Sequence, residues 1–302
     1  MDPTEGTTGR LPDGTHLGEV TLRVRDVAAS LGVWRDIMGL SVLEASADSA
    51  RLGVGGRTLV ALRGGAADPA TAPVVGLFHV AVHVTSRAAL AGMLWRLRQA
   101  GRPHSGQDHT ISDSLYLTDD DGNGIEIAHD TPGRGRVEVS DGMARAVRND
   151  GRILSVVEPL DLGALSDAAP DGHPARREMP GDSFIGHIHF RTNRRERAFG
   201  FYTQVLGFRP NGNAPAFSFC DVGTSRRGHM IAFNSWAGEA LPAAAPGAPG
   251  VERFVIRVPD RGAITAAADR LRDAGAPVTA LPEGLMTEDP DGNRVVLAAT
   301  GD

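Results

Sequence analysis

The stretch LGEVTLRVRDVAASLGVWRDIMGL, residues 17–40, decides the fold because the chain repeats it. Residues 185–208, IGHIHFRTNRRERAFGFYTQVLGF, align with it without a gap, and the two copies place glycines at the same point, Gly39 and Gly207. Each copy begins with the apolar alternation of a strand and continues with the period of a helix that stops at the glycine. This self-similarity predicts a duplicated domain.

A second pair of repeats lies outside the first pair. Residues 78–101, FHVAVHVTSRAALAGMLWRLRQAG, match residues 252–275, ERFVIRVPDRGAITAAADRLRDAG, and an Asp-Gly-Asn turn follows each copy, at 121–123 and at 291–293. Each half of the chain therefore holds two units of strand, helix and three strands. The sequence predicts an α+β protein of four βαβββ modules arranged in two pairs.

The repeats also set the expected domain boundaries. We predict an N-terminal two-module domain over residues 1–134 and a C-terminal two-module domain over residues 183–302. Residues 135–182 are rich in Gly, Pro, Asp and Arg, and they predict a linker with one short apolar segment at 153–165. A chain of 302 residues is long enough for two domains with separate cores.

The composition argues against several classes of protein. The net charge is −6 and no basic run is interleaved with aromatic residues, so nucleic acid is not an expected partner. All 31 basic residues are arginine, which removes Schiff-base lysine chemistry, and the single Cys220 allows neither an internal disulfide nor a thiolate zinc site. No apolar run reaches the roughly 20 residues that span a bilayer, and no signal peptide is recognisable. We expect a cytoplasmic protein without a membrane partner.

The order of the motifs carries a family resemblance. LGEVTLRVRDV, WRDIMGL, DDDGNGIEI, GFYTQVLGF and DPDGN together resemble the vicinal oxygen chelate superfamily. The hairpin LYLTDDDGNGIEI, the segment EPLDLGAL and the segment FNSWAG resemble its catechol 2,3-dioxygenase-like branch. The resemblance covers nearly the whole chain and implies two tandem domains, each with two modules whose first and last strands carry metal ligands.

The resemblance implies metal ligands in the N-terminal half. It assigns Glu19 and His79 on the first strands and Glu126 on the last strand of the second module. One imidazole and two carboxylates suit Fe(II) best, with Mn(II) and Zn(II) as alternatives. Glu19 departs from the ring-cleaving branch, which places a histidine there. His16 and His83 are the alternative candidates, and His83 shares a strand face with His79.

The C-terminal half is expected to lack a metal site. His187, Arg253 and Val296 occupy the positions that correspond to the ligands. An arginine repels a divalent ion, so this half is predicted to be structural. His187, His189 and His229 are then predicted to be scaffold residues or residues at the rim of a pocket.

Two further residues are candidates for catalysis. Tyr116 lies ten residues before Glu126, which is the spacing of an active-site tyrosine that the resemblance implies. Its hydroxyl can donate a hydrogen bond to a substrate oxygen. His109 is the matching acid or base, since a histidine exchanges protons near neutral pH.

The resemblance implies an Fe(II)-dependent extradiol ring-cleaving dioxygenase that uses O2 on a small catechol-like aromatic or another substrate with vicinal oxygens. Two alternatives stay open: a non-redox isomerase, epimerase or lyase with Glu19 as base, and a metal-free binding protein. A glyoxalase-type site is disfavoured because residues 57–65, RTLVALRGG, contain no acid. The resemblance allows a homodimer, and the sequence leaves the oligomeric state and the substrate open.

Overall fold

The structure is a computed structural model that describes residues 10–169 and 178–300. It confirms the predicted α+β fold of four βαβββ modules. Three stretches of the predicted domains and linker lie outside the described residues. They are residues 1–9 of the N-terminal domain, residues 170–177 of the linker and residues 301–302 of the C-terminal domain.

The first two modules follow the predicted order of elements. The first module contains β1 (His16–Arg23), α1 (Val27–Leu31), a π-helical turn (Gly32–Ile37), β2 (Ser41–Ala45), β3 (Ser49–Val54) and β4 (Arg57–Arg63). The second module contains β5 (Gly76–His83), α2 (Arg87–Gln99), β6 (Ser105–Asp108), β7 (Ser112–Thr118) and β8 (Gly124–Asp130).

An intervening segment and two more modules complete the described chain. The segment contains β9 (Gly135–Ser140), β10 (Met143–Arg148), β11 (Ile153–Leu154), β12 (Glu158–Pro159) and α3 (Leu162–Ser166). The third module contains β13 (Phe184–Arg191), α4 (Arg195–Gly200), a π-helical turn (Phe201–Leu206), β14 (Arg209–Ala214), a 3-10 turn (Pro215–Phe217), β15 (Phe219–Gly223) and β16 (Ile231–Asn234). The fourth module contains β17 (Gly250–Val258), α5 (Arg261–Asp273), β18 (Thr279–Leu281), β19 (Gly284–Glu288) and β20 (Arg294–Ala299).

Local sequence explains where the helices begin and end. Asp26, Ser86 and Asp260 precede α1, α2 and α5, and each side chain accepts a hydrogen bond from a backbone N–H of the first turn. Gly39 and Gly207 follow the π-helical turns with φ of 78° and 92°. These left-handed conformations favour glycine, and they explain why the repeat keeps a glycine at this point.

The modules pair across the two halves of the chain. Modules one and four form an eight-stranded sheet of order β18-β19-β20-β17-β1-β4-β3-β2. Modules two and three lie in a nine-stranded sheet of order β12-β6-β7-β8-β5-β13-β16-β15-β14. First strands meet in antiparallel pairs, β1 with β17 and β5 with β13. This differs from the expected pairing within each half, because strand alternation sets the buried face of a strand but not the strand that pairs with its free edge.

One hydrophobic core extends through all four modules. Trp34 of the first module, Tyr202 of the third and Phe254 of the fourth are fully buried in it. Arg96 of α2 is also buried and donates a hydrogen bond to the Met38 carbonyl at 3.1 Å, which joins the second module to the first. None of the described helices is long and apolar enough to cross a membrane.

The segment predicted to be a linker contains regular structure. β11, β10 and β9 form a small sheet, and β12 extends the nine-stranded sheet beside β6. The hairpin of β9 and β10 turns at Asp141 and Gly142, which have φ of 52° and 74°. Asp-Gly between stretches of alternating apolar and polar residues is a strong hairpin signal. This signal was present in the sequence, but the low apolar content of the segment favoured the prediction of a linker.

Candidate metal centre

Three buried side chains converge on one face of the nine-stranded sheet, which we call the histidine face. β5 lies between β8 and β13, and the register places Glu126 and His187 on either side of Ala81. His79 stands two residues before Ala81 and therefore shares its face. Because the alanine methyl is small, the three longer side chains can meet above it. All three are at most 5% exposed.

The ligand atoms of these residues form a compact triangle. His79 Nε2 lies 3.2 Å from His187 Nε2, and each of these nitrogens lies 3.0 Å from Glu126 Oε2. Ligands at about 2.1 Å from a metal and at right angles to each other are about 3.0 Å apart. The triangle therefore fits three adjacent positions of an octahedral ion. Two imidazoles and one carboxylate in this arrangement are the donor set of non-haem Fe(II) oxygenases.

Burial and charge set the protonation of the triangle. Burial holds the pKa of His187 well below its usual value, so this imidazole is neutral. Burial opposes ionisation of Glu126, but electrostatic attraction to the imidazoles of His187 and His79 and hydrogen bonds from them keep the pKa of this carboxyl well below its usual range. A neutral imidazole and an ionised carboxylate are the forms that bind a metal.

Tyr116 and His109 lie beside the triangle. Tyr116 is directly opposite Glu126 in the pairing of β7 with β8, and its ring centroid is 5.5 Å from that of His79. His109 Nδ1 lies 2.7 Å from the Val156 carbonyl, which can only accept, so this nitrogen carries the proton. His109 Nε2 then accepts from the Tyr116 hydroxyl at 2.8 Å. Burial and the charge of Glu126 raise the pKa of Tyr116 well above its usual value, so the phenol stays protonated.

Comparison with known proteins decides the family. The model of the Glyoxalase/Bleomycin resistance protein/Dioxygenase superfamily matches residues 16–127 and 184–297. The chain belongs to this superfamily. A similar curated protein is the catechol-2,3-dioxygenase of Bacillus subtilis (strain 168), which is 29% identical over 281 residues that cover 92% of this chain and 95% of that protein.

Solved structures of the superfamily share the fold. A candidate dioxygenase from Bacillus subtilis matches with a TM-score of 0.65 and 12% identity, over 95% of this chain and 86% of that one. Glyoxalase I from Zea mays matches with a TM-score of 0.57 and 15% identity, over 95% and 92% of the two chains. At these identities the likeness shows the fold alone.

The structure does not bring Glu19 to the triangle. Glu19 lies on β1 in the other sheet, where its Oε2 accepts a hydrogen bond from Arg51 at 2.9 Å and its Oε1 lies 4.0 Å from Arg253. The candidate ligand His16 is exposed at the start of the same strand. His187, predicted as a scaffold residue, stands in the triangle because module two pairs with module three. The C-terminal half of the chain thereby supplies the second histidine of the triangle.

His83 contacts a corner of the triangle without being part of it. Its Nε2 lies 3.1 Å from His187 Nδ1, and its Nδ1 lies 3.1 Å from Asp130 Oδ1. Arg227 donates to Asp130 Oδ2 at 3.1 Å on the far side. His83 therefore supports His187 and does not offer a fourth ligand.

The third module supplies a second acid–base pair that the sequence analysis did not find. His229 Nδ1 lies 2.6 Å from Asp221 Oδ2, and its ring centroid is 4.4 Å from that of His187. Burial opposes the charge on His229, but the hydrogen bond and charge of Asp221 raise the pKa of this imidazole. The neighbouring His189 accepts a hydrogen bond from Asn234 at 2.9 Å, and burial holds its pKa well below the usual value.

The position that would carry a fourth ligand holds an alanine. Ala81 faces Glu126 across β5 and β8, and His189 faces Ala232 across β13 and β16. Since the modules repeat, Ala232 corresponds to Glu126. A methyl group cannot bind a metal, so the third module supplies no carboxylate that corresponds to Glu126.

Aromatic rings line one side of the histidine face. Phe78 and Phe219 flank Trp236, with ring centroids 5.7 Å and 6.0 Å from the indole. The Trp236 Nε1 donates to the Phe217 carbonyl at 2.7 Å, which fixes the indole while 44% of the residue stays exposed. The His189 ring lies 5.4 Å from Trp236 and connects this aromatic wall to the triangle.

Proposed function

We propose that this superfamily member is an extradiol-type ring-cleaving dioxygenase, an oxidoreductase that uses Fe(II) and O2 on a small catechol-like aromatic. The triangle of His79, Glu126 and His187 carries the proposal, because its donor set is that of non-haem Fe(II) oxygenases. The relative named catechol-2,3-dioxygenase supports the same reaction class.

The donors of the triangle define how the metal is held. His79 and His187 would bind it through Nε2, and Glu126 through Oε2. When bound there, Fe(II) supplies Lewis acidity for two neighbouring substrate oxygens and a redox centre for the reaction with O2. Mn(II) and Zn(II) suit the same donors and are the alternative metals.

The aromatic wall positions the substrate. Phe78, Phe219 and Trp236 present apolar ring surface next to His189, whose ring lies 4.9 Å from that of His79. A flat aromatic ring gains by stacking on such a surface and by displacing water from it. A catechol stacked there would turn its two vicinal oxygens toward a metal held by the triangle.

Tyr116 and His109 handle one substrate proton. The Tyr116 hydroxyl can turn from His109 to donate to a substrate oxygen on which negative charge develops. His109 Nε2 is then free to accept a proton, because the Val156 carbonyl keeps the other ring proton on Nδ1. His229, held by Asp221, is a second proton carrier near His187.

The pair of His229 and Asp221 favours one alternative. A non-redox isomerase, epimerase or lyase needs a base close to the metal to remove a proton from a carbon next to a carbonyl. Glu19 is too remote in the fold for that role, since it lies on the other sheet with Arg51. His229 is the group that could replace it.

The test begins anaerobically. The protein is loaded with Fe(II), mixed with a panel of catechols and exposed to air, while oxygen uptake and the absorbance of the ring-opened product are recorded. We expect one O2 consumed for each product formed. Glu126→Ala should abolish both metal binding and uptake.

Other outcomes discriminate between the alternatives. Tight metal binding without oxygen uptake on any catechol would contradict the dioxygenase and leave the non-redox enzyme. Retention of an aromatic ligand by Glu126→Ala, with no metal bound by either protein, would leave the binding protein.

A further inference from the structure

A chain of three hydrogen bonds leads outward from the triangle to Asp130. His187 Nδ1 lies 3.1 Å from His83 Nε2, His83 Nδ1 lies 3.1 Å from Asp130 Oδ1, and Asp130 Oδ2 accepts from Arg227 at 3.1 Å. His83 is 4% exposed, whereas the side chain of Asp130 is 46% exposed. The chain therefore connects a buried ligand to the surface.

The chemistry of these groups fixes every proton in the chain. If His187 binds a metal through Nε2, its remaining proton is on Nδ1, and His83 Nε2 must accept it. His83 then carries its own proton on Nδ1, which donates to the carboxylate of Asp130. Arg227 also approaches His83 Nδ1, at 3.5 Å, but a guanidinium can only donate and Asp130 is closer. With a metal on His187 Nε2, this set of tautomers satisfies the three hydrogen bonds of the chain.

The backbone makes room for this arrangement. β5 pairs with β13 in antiparallel register, with a bulge between Ile185 and His187 that contains Gly186. A Cβ atom at Gly186 would overlap the imidazole ring of His83. The φ of Gly186 is not positive, so close approach, not backbone conformation, is what requires glycine here.

We propose that His83 is a positioning residue that, together with Asp130, fixes the Nδ1 tautomer and the ring orientation of His187. The proposal rests on the metal centre of the proposed function. Outer partners of ligating histidines orient the ring and increase its basicity, and their loss typically lowers metal affinity 10–100-fold. His83 and Asp130 should therefore contribute to affinity without contacting the metal.

The experiment measures Co(II) affinity by competition with a chelator and records the visible spectrum of the Co(II) protein. We expect His83→Leu to weaken binding about 10–100-fold and to shift the spectrum. His83→Gln, whose amide oxygen can accept from His187 Nδ1, should recover part of the affinity. Asp130→Asn should weaken binding less than His83→Leu, because the imidazole of His83 remains.

A matched control and a double variant separate positioning from charge. Asp150 forms an exposed ion pair with Arg152, and its side chain is 52% exposed, much like Asp130. Asp150→Asn should leave the affinity unchanged. Adding Asp130→Asn to His83→Leu should have no further effect, since Asp130 acts through His83.

The outcomes are distinct from those of the oxygen-uptake test. Unchanged affinity and spectrum in His83→Leu would overturn the proposal, as would full additivity in the double variant. Wild-type protein that binds no Co(II) would overturn both the metal centre and the positioning role. Normal Co(II) binding with the expected losses, but without oxygen uptake, would support the positioning role and contradict only the dioxygenase. Thermal unfolding of each metal-free variant shows whether it folds. If His83→Leu does not fold, Asp130→Asn still tests the proposal, because the Asp130 side chain is half-exposed.

Discussion

The two sheets have the same architecture but different chemistry on equivalent faces. On the histidine face, His79 lies two residues before the small Ala81 on β5, and Glu126 lies opposite Ala81 on β8. On the eight-stranded sheet, the face that we call the arginine face, Arg253 and Val296 take their places and Val255 replaces Ala81. The backbone is thus not sufficient for a metal centre, and a few side chains decide it.

The charges on the two faces explain the difference. The Glu126 carboxylate lies 3.0 Å from the Nε2 atoms of two imidazoles, and these nitrogens can give up a proton and bind a metal. Glu19 on the arginine face is neutralised by Arg51 at 2.9 Å, with Arg253 at 4.0 Å. A guanidinium cannot lose its proton in a protein. The arginine face therefore satisfies its carboxylate with fixed cations, and the histidine face satisfies its carboxylate with imidazoles that can exchange a proton for a metal.

The largest expected effect comes from replacing, one at a time, two residues that correspond in the repeat, His187 on β13 and Glu19 on β1. His187→Ala removes a corner of the triangle and should lower Fe(II) or Co(II) affinity by more than about 100-fold, beyond the loss of an outer partner. Glu19→Ala should leave the metal affinity unchanged. Metal content and chelator competition measure both, and a loss of metal in Glu19→Ala would return that residue to the ligand set.

The next effect concerns Tyr116, which faces Glu126, and Met286, which faces Val296 on the arginine face. Tyr116→Phe removes a donor to the substrate oxygen and should lower kcat on the order of 10²-fold. Metal affinity should not change. Met286→Leu is the control at the equivalent position, and equal kcat values for the two variants would exclude the hydroxyl from the reaction.

A smaller effect is expected from the floor of each face. Ala81→Val introduces the residue of the arginine face beneath the triangle. Overpacking of about 1–3 kcal/mol at this point corresponds to a loss of metal affinity of about 5- to 160-fold. The reciprocal Val255→Ala should lower the free energy of unfolding and leave the metal in place. If Ala81→Val binds metal normally, the small floor residue is not what lets the three side chains meet.

The smallest effect tests whether a contact between the two sheets contributes to stability without affecting the candidate site. The Tyr202 hydroxyl of module three donates to Asp289 of module four at 3.1 Å in the buried core. Tyr202→Phe should lower the free energy of unfolding by about 1–3 kcal/mol, because a buried acceptor loses its donor. Chemical denaturation measures this loss, and metal affinity and oxygen uptake should match the wild type. A large drop in either would show that the contact supports the site.

The sequence identifies two of the three residues of the triangle, and the third depends on which modules pair. The family resemblance, applied to the first and last strands of the second module, singles out His79 and Glu126, which the structure places 3.0 Å apart. His187 could not be chosen because it aligns with Glu19 in the repeat, and only the module that pairs with module two decides which of them is near. Asp221 lies on β15 and His229 in the loop between β15 and β16, and the sequence does not specify the path that brings this loop back to the strand.

The amino-acid sequence by itself determined the four modules, the strand face on which each side chain stands and the turns that end each helix. These features depend on local periodicity and on the conformations of a few glycines. The tertiary structure alone decided that module two pairs with module three. Hydrogen bonds at a strand edge are made by main-chain groups that are the same in every module, so the choice of partner depends on packing of the whole core. That choice assembles the two histidines and one glutamate into a single triangle.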